Sequence, residues 1–256
     1  MKFHDLAILF CSVFLIFSLQ QDVKSEQYDR MVRRQIFYNQ VLDHAAMDAA
    51  WNMVLADDGT LLSYSEKKTA KRFYDSLYLG CGIMEEPAKK REMSQMIPVL
   101  ILLENDGFYT VTSTEGDGVK QQYEKKYGEW NVIYQVNGLV QVEHTGTGFY
   151  QIGTYEEVAY LINEPEWESF DAYEEERRRV IIGYLTSSIN ETMNEKNRIA
   201  GKTGAVYQFR LPVIKKEDWY RTIDHPGVFA VFQGYPFGFA QKQYERIAVA
   251  GARLVK

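Results

Sequence analysis

Residues 6–19 read LAILFCSVFLIFSL, an uncharged run of 14 residues, and residues 20–54 follow it as a polar segment. Neither proline nor glycine occurs between Met1 and Asp58, so no residue in this span obliges a helix to end. The simplest interpretation is one long helix that is apolar at its front and amphipathic behind. A globular body then begins after the turn signal that ends at Gly59.

The apolar run has three interpretations, of which the third is a buried helix in a cytoplasmic protein. As a helix it reaches about 21 Å, which flanking uncharged residues extend towards the ~30 Å of a bilayer core. The first interpretation is a single-pass membrane anchor through residues 6–19, with Lys2 and His4 inside and the body extracytoplasmic. The second is a secretory signal that is cleaved near Ser25 and releases a secreted protein. We predict the anchor, and hence the cell membrane as the location, with secretion as the alternative.

Behind the apolar run, a seam at helical spacing indicates an amphipathic stalk. Its members alternate at intervals of four and three residues: Tyr28, Val32, Gln35, Asn39, Leu42, Ala46, Ala49 and Met53. The distal half of this seam is small and apolar, so we expect it to pack on the body. The proximal half carries Gln35 and Asn39 in apolar positions, which favours contact with another subunit.

The composition bounds the class of protein. Of 256 residues, 46% are hydrophobic, which is enough for a packed core, and the net charge is −6. Charges cancel within residues 1–25, so the body is acidic and nucleic acid is not an expected partner. The two cysteines, Cys11 and Cys81, lie in different segments and predict no disulfide scaffold. The 18 tyrosines suit either a tyrosine-rich sheet core or an adhesive surface, and the core is the simpler reading.

In the body, hydrophobic alternation and turn residues predict strands in two groups. A hairpin turns at Asn105–Gly107, a meander follows it, and a polar connector at Lys120–Tyr127 lies between. A rigid turn is predicted at Gly234–Gly238. The predicted strands are Val99–Leu103, Phe108–Thr112, Trp130–Val136, Leu139–Glu143, Phe149–Ile152, Val206–Leu211, Gly227–Gln233 and Arg246–Val255.

Capping residues and helical periodicity predict further helices in the body. Ser65 and Thr154 stand where helix N-caps are expected. The predicted helices are Glu66–Leu79, Glu85–Met93, Tyr155–Ile162, Phe170–Ile199 and a short one around Trp219.

These elements predict an α+β fold. A long N-terminal helix, made of the anchor and the amphipathic stalk, packs on a mainly antiparallel sheet with additional helices. The predicted divisions are residues 1–25 for the anchor or signal, 26–58 for the stalk, and 59–256 for one extracytoplasmic domain.

Residues that could carry chemistry are few. His44 and Asp48 share a helix face and could hold a metal, but no third ligand is near, and a surface pair is the simpler reading. Cys81 could meet His144 or His225 as a thiol pair. Gly146 and Gly148 fit a hairpin turn better than a phosphate loop. Glu174–Glu176 lack the alternating spacing of a calcium loop and indicate a solvated helix face. We predict no catalytic residue, cofactor or metal ligand, and therefore a protein that is not an enzyme.

An apolar helix front, a continuous long helix and a mixed sheet body together resemble type IV pilin-like subunits. A more detailed resemblance is to an uncharacterised family of membrane-anchored proteins of Gram-positive bacteria associated with tight-adherence (Tad-type) pilus genes. It rests on the opening KFHDLAILF and on segments Ile97–Tyr109, Glu217–Ile223, Phe232–Gly238 and Gly251–Val255.

The resemblance implies a component of a pilus or secretion-type assembly. Its partners would be proteins of that assembly, with self-association through the N-terminal helix and membrane contact through residues 6–19. The alternative is an extracytoplasmic ligand-binding domain, or a secreted enzyme of unknown class.

Overall fold

The computed structural model describes residues 3–55, 61–202, 214–237 and 244–253, and the chain forms two compact units, Met1–Gln40 and Val41–Lys256. Helix α1 runs from Phe3 to Ala50 without a break, which confirms the long N-terminal helix. It ends before the predicted boundary because Val54–Leu55 leaves the helix to pair as a strand. The predicted divisions at residues 25 and 58 stay predictions.

The prediction of a single-pass anchor at residues 6–19 is wrong. In the described part of the chain, no helix is both long enough and apolar enough to cross a membrane. The uncharged run has only 14 residues, and the helix passes directly from it into Gln20, Gln21 and Asp22. A span of about 20 apolar residues is therefore not reached. The predicted cell-membrane location is overturned with it, whereas cleavage near Ser25 stays an untested prediction.

The last ten residues of α1 belong to the body. Val41, Leu42, Ala45, Ala46, Ala49 and Ala50 are buried. These adjacent pairs recur every four residues, which places them on one face of the helix. The Asp48 carboxylate accepts a hydrogen bond from Ser76 Oγ at 2.5 Å, which ties this face to the next helix. The prediction that the distal seam packs on the body is confirmed.

The remaining elements follow in chain order. The helices are α2 Glu66–Gly80, α3 Pro87–Gln95, α4 Tyr155–Val158, α5 Phe170–Lys202 and α6 Lys216–Ile223. The strands are β1 Val54–Leu55, β2 Leu61–Ser63, β3 Val99–Leu103, β4 Gly107–Val111, β5 Gly118–Gln122, β6 Glu124–Tyr127, β7 Trp130–Tyr134, β8 Val140–His144, β9 Tyr150–Gly153, β10 Gly227–Phe237 and β11 Tyr244–Arg253.

Two antiparallel sheets form the body, which confirms the α+β class. One sheet has the order β11-β10-β3-β4-β5, the other has the order β6-β7-β8-β9, and β1 and β2 form a separate hairpin. Strand β3 is buried at all five residues, as expected for a strand covered on both faces. Outer strands β5 and β6 are rich in polar residues.

One continuous core joins the two sheets through α5. Ile101 and Phe229 of the five-stranded sheet, and Val132 and Val142 of the four-stranded sheet, pack in one cluster with Ile181 of α5. Helix α5 contributes Ile181, Leu185, Ile189 and Met193 to this core, and all four are buried.

The tyrosine-rich core is also confirmed. Tyr123, Tyr134 and Tyr173 are among the largest side chains that are fully buried. Tyr134 and Tyr173 meet Trp167 in an aromatic cluster, with ring centroids 6.2 and 4.8 Å from that of Trp167. Burial of these rings provides large apolar areas that tie the four-stranded sheet to α5.

Three predictions for the body differ from the structure or fall outside it. The predicted connector Lys120–Tyr127 contains β5 and β6 instead, because each pairs along the edge of a different sheet. The predicted turn Gly234–Gly238 is strand up to Phe237, with a shift of register after Gly234. The predicted strand Val206–Leu211 lies outside the described residues.

Candidate functional site

A cavity of about 440 Å³ lies between β6 and α5, and it is the first candidate site. Its lining residues combine charge with an apolar floor: Glu124, Lys125, Glu176, Arg179, Val180, Gly183 and Tyr184. A Cβ on Gly183 would meet nothing within 4 Å, so this glycine leaves the floor open. The cavity is wide open to solvent, so a small molecule there would be only partly buried.

Glu176 is the centre of the charged network at this cavity. Its Oε1 accepts hydrogen bonds from Lys125 Nζ at 2.5 Å and from Tyr127 Oη at 3.0 Å. Its Oε2 accepts one from Arg179 Nε at 2.7 Å, across the three-residue spacing that places both on one side of a helix. Lys125 also lies 3.4 Å from Glu166, and its ammonium lies over the Tyr127 ring.

The network fixes the charges of its members. Burial alone would raise the pKa of the Glu176 carboxyl, but hydrogen bonds from Lys125, Arg179 and Tyr127 outweigh it and lower the pKa. Burial would lower the pKa of Lys125, but its bonds to Glu176 and Tyr127 raise it. Both groups are therefore charged at neutral pH. A general acid or base needs a pKa near the working pH, so this pair suits binding better than proton transfer.

Arg177, the residue of α5 that follows Glu176, forms a second network. Its side chain is only 4% exposed. Its Nη1 donates to the carbonyl oxygens of Gln135 and Val136 at 3.1 and 3.2 Å, and its Nε donates to Glu174 at 2.9 Å. Asp224, which follows α6, lies 3.4 Å from Nη2. Arg177 thus joins three parts of the body, which is a structural role.

A third network centres on the buried carboxylate Glu104, which follows β3. Tyr64 Oη donates to its Oε1 at 2.5 Å, and Lys120 Nζ lies 2.5 Å from its Oε2. Burial and the hydrogen bond to Glu104 raise the pKa of Tyr64. This arrangement holds β5 against the segment before α2, and all three groups have partners.

The residues singled out in the sequence are not brought together into a reactive site. Asp48 accepts a hydrogen bond from Ser76 Oγ, and no group of three metal-ligating side chains occurs among the described residues. His144 Nδ1 accepts hydrogen bonds from the backbone N–H groups of Gly146 and Thr147. Gly146 and Gly148 thus belong to a hairpin turn, as predicted.

Cys81 and His144 lie in different elements of the body. Cys81 caps the end of α2, is a free thiol, and burial raises its pKa, which disfavours the reactive thiolate. His144 is held in its own hairpin, where its Nε2 lies 3.2 Å from Glu129. These contacts give no support to a pair between Cys81 and His144.

The prediction of a solvated face at Glu174–Glu176 is wrong for Glu176, which is buried. The order of glutamates and arginines on α5 is visible in the sequence, but the contact of Glu176 with a lysine from another element was not predicted. Lys125 was missed because it fell within the predicted connector. The available signal was a lysine at the position midway between Tyr123 and Tyr127, because residues two apart lie on the same face of a strand.

A second candidate site is the surface of α1 before the body, which we call the helix surface and define as residues 14–40. All but Ile16 and Met31 have described side chains, and nearly all of these are exposed. The exposed large apolar side chains are Phe14, Leu15, Phe17, Leu19, Val23, Tyr28, Ile36 and Phe37. Phe14 and Tyr28 keep 63% and 59% of their area in solvent.

Comparisons with known proteins found no matching family model, no matching curated protein and no matching solved structure. The resemblance to pilin-like subunits and to the tight-adherence family therefore stays a prediction.

Proposed function

We propose that this protein is a non-catalytic structural subunit that assembles with other protein chains through its helix surface. The observation that carries the proposal is the set of eight exposed aromatic and aliphatic side chains in residues 14–40. Isolated apolar residues are ordinary on surfaces, but a large contiguous set marks an interaction site. Exposing eight such side chains to water is unfavourable, and contact with a partner would remove this apolar area from water.

The charged networks support the same proposal. The groups around Glu176 are held in one charge state, and Arg177 and Glu104 link elements of the body. Their hydrogen bonds and burial are those of structural braces. A rigid body attached to an exposed apolar helix suits a protein that works by assembly.

The finer expectation of a pilus or secretion-type assembly rests on the resemblance in sequence. It is supported by the long helix and the antiparallel body, both features of pilin-like subunits. We keep it as the more specific form of the proposal, without a membrane anchor.

The first test is the mass of the full chain in solution, measured by light scattering after gel filtration. We expect a multiple of the 29.8 kDa chain for the natural sequence. The double variant Leu19→Ser, Phe37→Ser should shift towards the single-chain mass. The matched control is Leu79→Ser, Tyr160→Ser, which removes one leucine and one aromatic side chain that are even more exposed, but on the body, and should keep the natural mass. A natural chain of single-chain mass at micromolar concentration would overturn the proposal.

The cavity beside β6 supports a second candidate function, a ligand-binding domain. Opposite charges above an apolar floor suit a small molecule that carries both charges. We would measure the melting temperature with L-arginine and with L-glutamate as probes. Binding should raise it in the natural chain but not in Gly183→Leu, which fills the floor. Equal melting temperatures with and without both probes would remove this candidate.

A further inference from the structure

One side of the helix surface carries a symmetric set of residues, which we call the pairing face: Leu19, Val23, Glu26, Arg30, Arg33 and Phe37. At about 100° of rotation per residue, these six positions fall within a sector of roughly 80°. All six are exposed, so the whole face is open to a partner. The pairing face lies opposite the predicted seam through Tyr28, Val32, Gln35 and Asn39.

The six residues are arranged symmetrically about position 28. Glu26 and Arg30 stand two residues on either side of it. Val23 and Arg33 stand five residues away, and Leu19 and Phe37 stand nine residues away. A two-fold axis through this level therefore pairs acid with base at Glu26 and Arg30 and apolar with apolar at Leu19 and Phe37, while Val23 meets Arg33. Such self-complementarity is what a symmetric dimer requires of its interface.

We propose that two copies of this chain pair antiparallel through the pairing face, with a two-fold axis at the level of residue 28. This inference rests on the proposed function and names the second copy as the partner of the helix surface. Leu19 of one copy then meets Phe37 of the other, and each Glu26 meets an Arg30. The aliphatic stem of Arg33 covers Val23.

Charge selects the antiparallel orientation over the parallel one. The acidic residues Asp22, Glu26 and Asp29 come first, and Arg30, Arg33 and Arg34 follow within five residues. An in-register parallel pair would set arginine beside arginine and acid beside acid. Antiparallel pairing sets the acidic segment of each copy along the basic segment of the other. Like charges across an interface suppress a pairing, and opposite charges fix its register.

The charged side chains of the pairing face are accessible for contacts with a second copy. Glu26 and Arg30 already meet within the helix at 2.5 Å, and both side chains stay mostly in solvent. Such an exposed pair holds its members only weakly, so each can also bind across the dimer. The apolar pairs at the two ends supply burial, and the central charges supply the register.

The orientation is tested by cross-linking in the full chain after Cys11→Ser and Cys81→Ser. Leu19→Cys and Phe37→Cys are made in separate chains, one of them tagged so that its size differs. In the antiparallel pair, two copies of position 19 lie about 27 Å apart, too far for a disulfide. We expect mild oxidation to give a mixed-size dimer when both variants are combined, and no dimer from either alone.

The outcomes separate this inference from the proposed function. Same-position dimers from each variant alone would overturn the antiparallel orientation while leaving assembly intact. A chain of single-chain mass that gives no cross-link would overturn both. Any mixed dimer must come from position 19 joined to position 37, because no other thiol is present.

Exchange of charges gives a second, independent test. Glu26→Arg places arginine against Arg30 twice in an antiparallel dimer and should weaken it on the order of tenfold. The exchange Glu26→Arg, Arg30→Glu restores both the pair within the helix and the pair across the dimer, so affinity should return. Equal dissociation constants for the natural chain and Glu26→Arg would contradict the antiparallel pair, since a parallel pair only exchanges one like-charge contact for another.

Discussion

The Glu176 carboxylate accepts a hydrogen bond from Lys125 Nζ at 2.5 Å, across the boundary between α5 and the edge strand β6. Fifty-one positions of sequence separate the two residues. Glu176 is buried, whereas Lys125 keeps about a third of its side chain in solvent. This contact therefore fastens an otherwise polar edge strand to the central helix.

Replacing the carboxylate should loosen this contact. Glu176→Gln removes the charge that Lys125, Tyr127 and Arg179 surround, and should lower the free energy of unfolding by about 2 kcal/mol. Urea denaturation checks the value. Glu168→Gln, an exposed glutamate before the same helix, is the matched control and should change little. Equal losses in the two variants would show that the network does not stabilise the fold.

The same contact should make stability depend on pH. The pKa of Glu176 is lowered in the folded chain from its ordinary value of 4.5, so its contribution is complete above that pH. The contribution is lost as the pH falls through the folded pKa. The difference in unfolding free energy between the natural chain and Glu176→Gln should therefore shrink on acidification. A difference that grew at low pH would contradict the assigned direction.

Arg177 should be the more sensitive residue. Arg177→Leu leaves Glu174 and two backbone carbonyls without their buried cationic donor and should cost about 3 kcal/mol of unfolding free energy. Arg177→Lys should recover only part of this, because an ammonium cannot reproduce the fork of donors. Arg198→Leu, at an exposed pair on the same helix, is the control and should cost less than 0.5 kcal/mol.

The end of α1 should behave as core. Leu42 is 1% exposed, and Leu42→Ala should cost about 3 kcal/mol, because it leaves a cavity in the body. Met47 on the opposite side of the helix is 49% exposed, and Met47→Ala should be nearly neutral. Similar unfolding midpoints for the two variants would show that the distal seam does not hold the helix to the body.

The sequence predicted the long helix, the hairpin at Asn105–Gly107 and the caps at Ser65 and Thr154, because these depend on local rules. The absence of proline and glycine, the turn residues and the capping side chains each act within a few positions. Edge strands β5 and β6 were missed, since their residues are polar and only pairing with β4 and β7 reveals them.

The charged site could be predicted only in part. The Glu–Arg spacing within α5 is a local signal, but the contact with Lys125 depends on how β6 packs against the helix. The membrane anchor was predicted from apolar character and failed on length, because 14 uncharged residues fall short of a bilayer span. The pairing face needed the confirmed helix geometry before its symmetry could be found.

The most direct test of assembly through the helix surface is hydrogen exchange of the backbone amides of residues 14–40. Their exchange is compared at low and at high protein concentration. A helix exposed to solvent on all sides is protected only weakly by its own hydrogen bonds, whereas assembly excludes water from it. We expect protection of these amides to rise with concentration while that of the body, followed at β3 and β10, stays constant. Protection of residues 14–40 that is the same at both concentrations would contradict assembly through the helix surface.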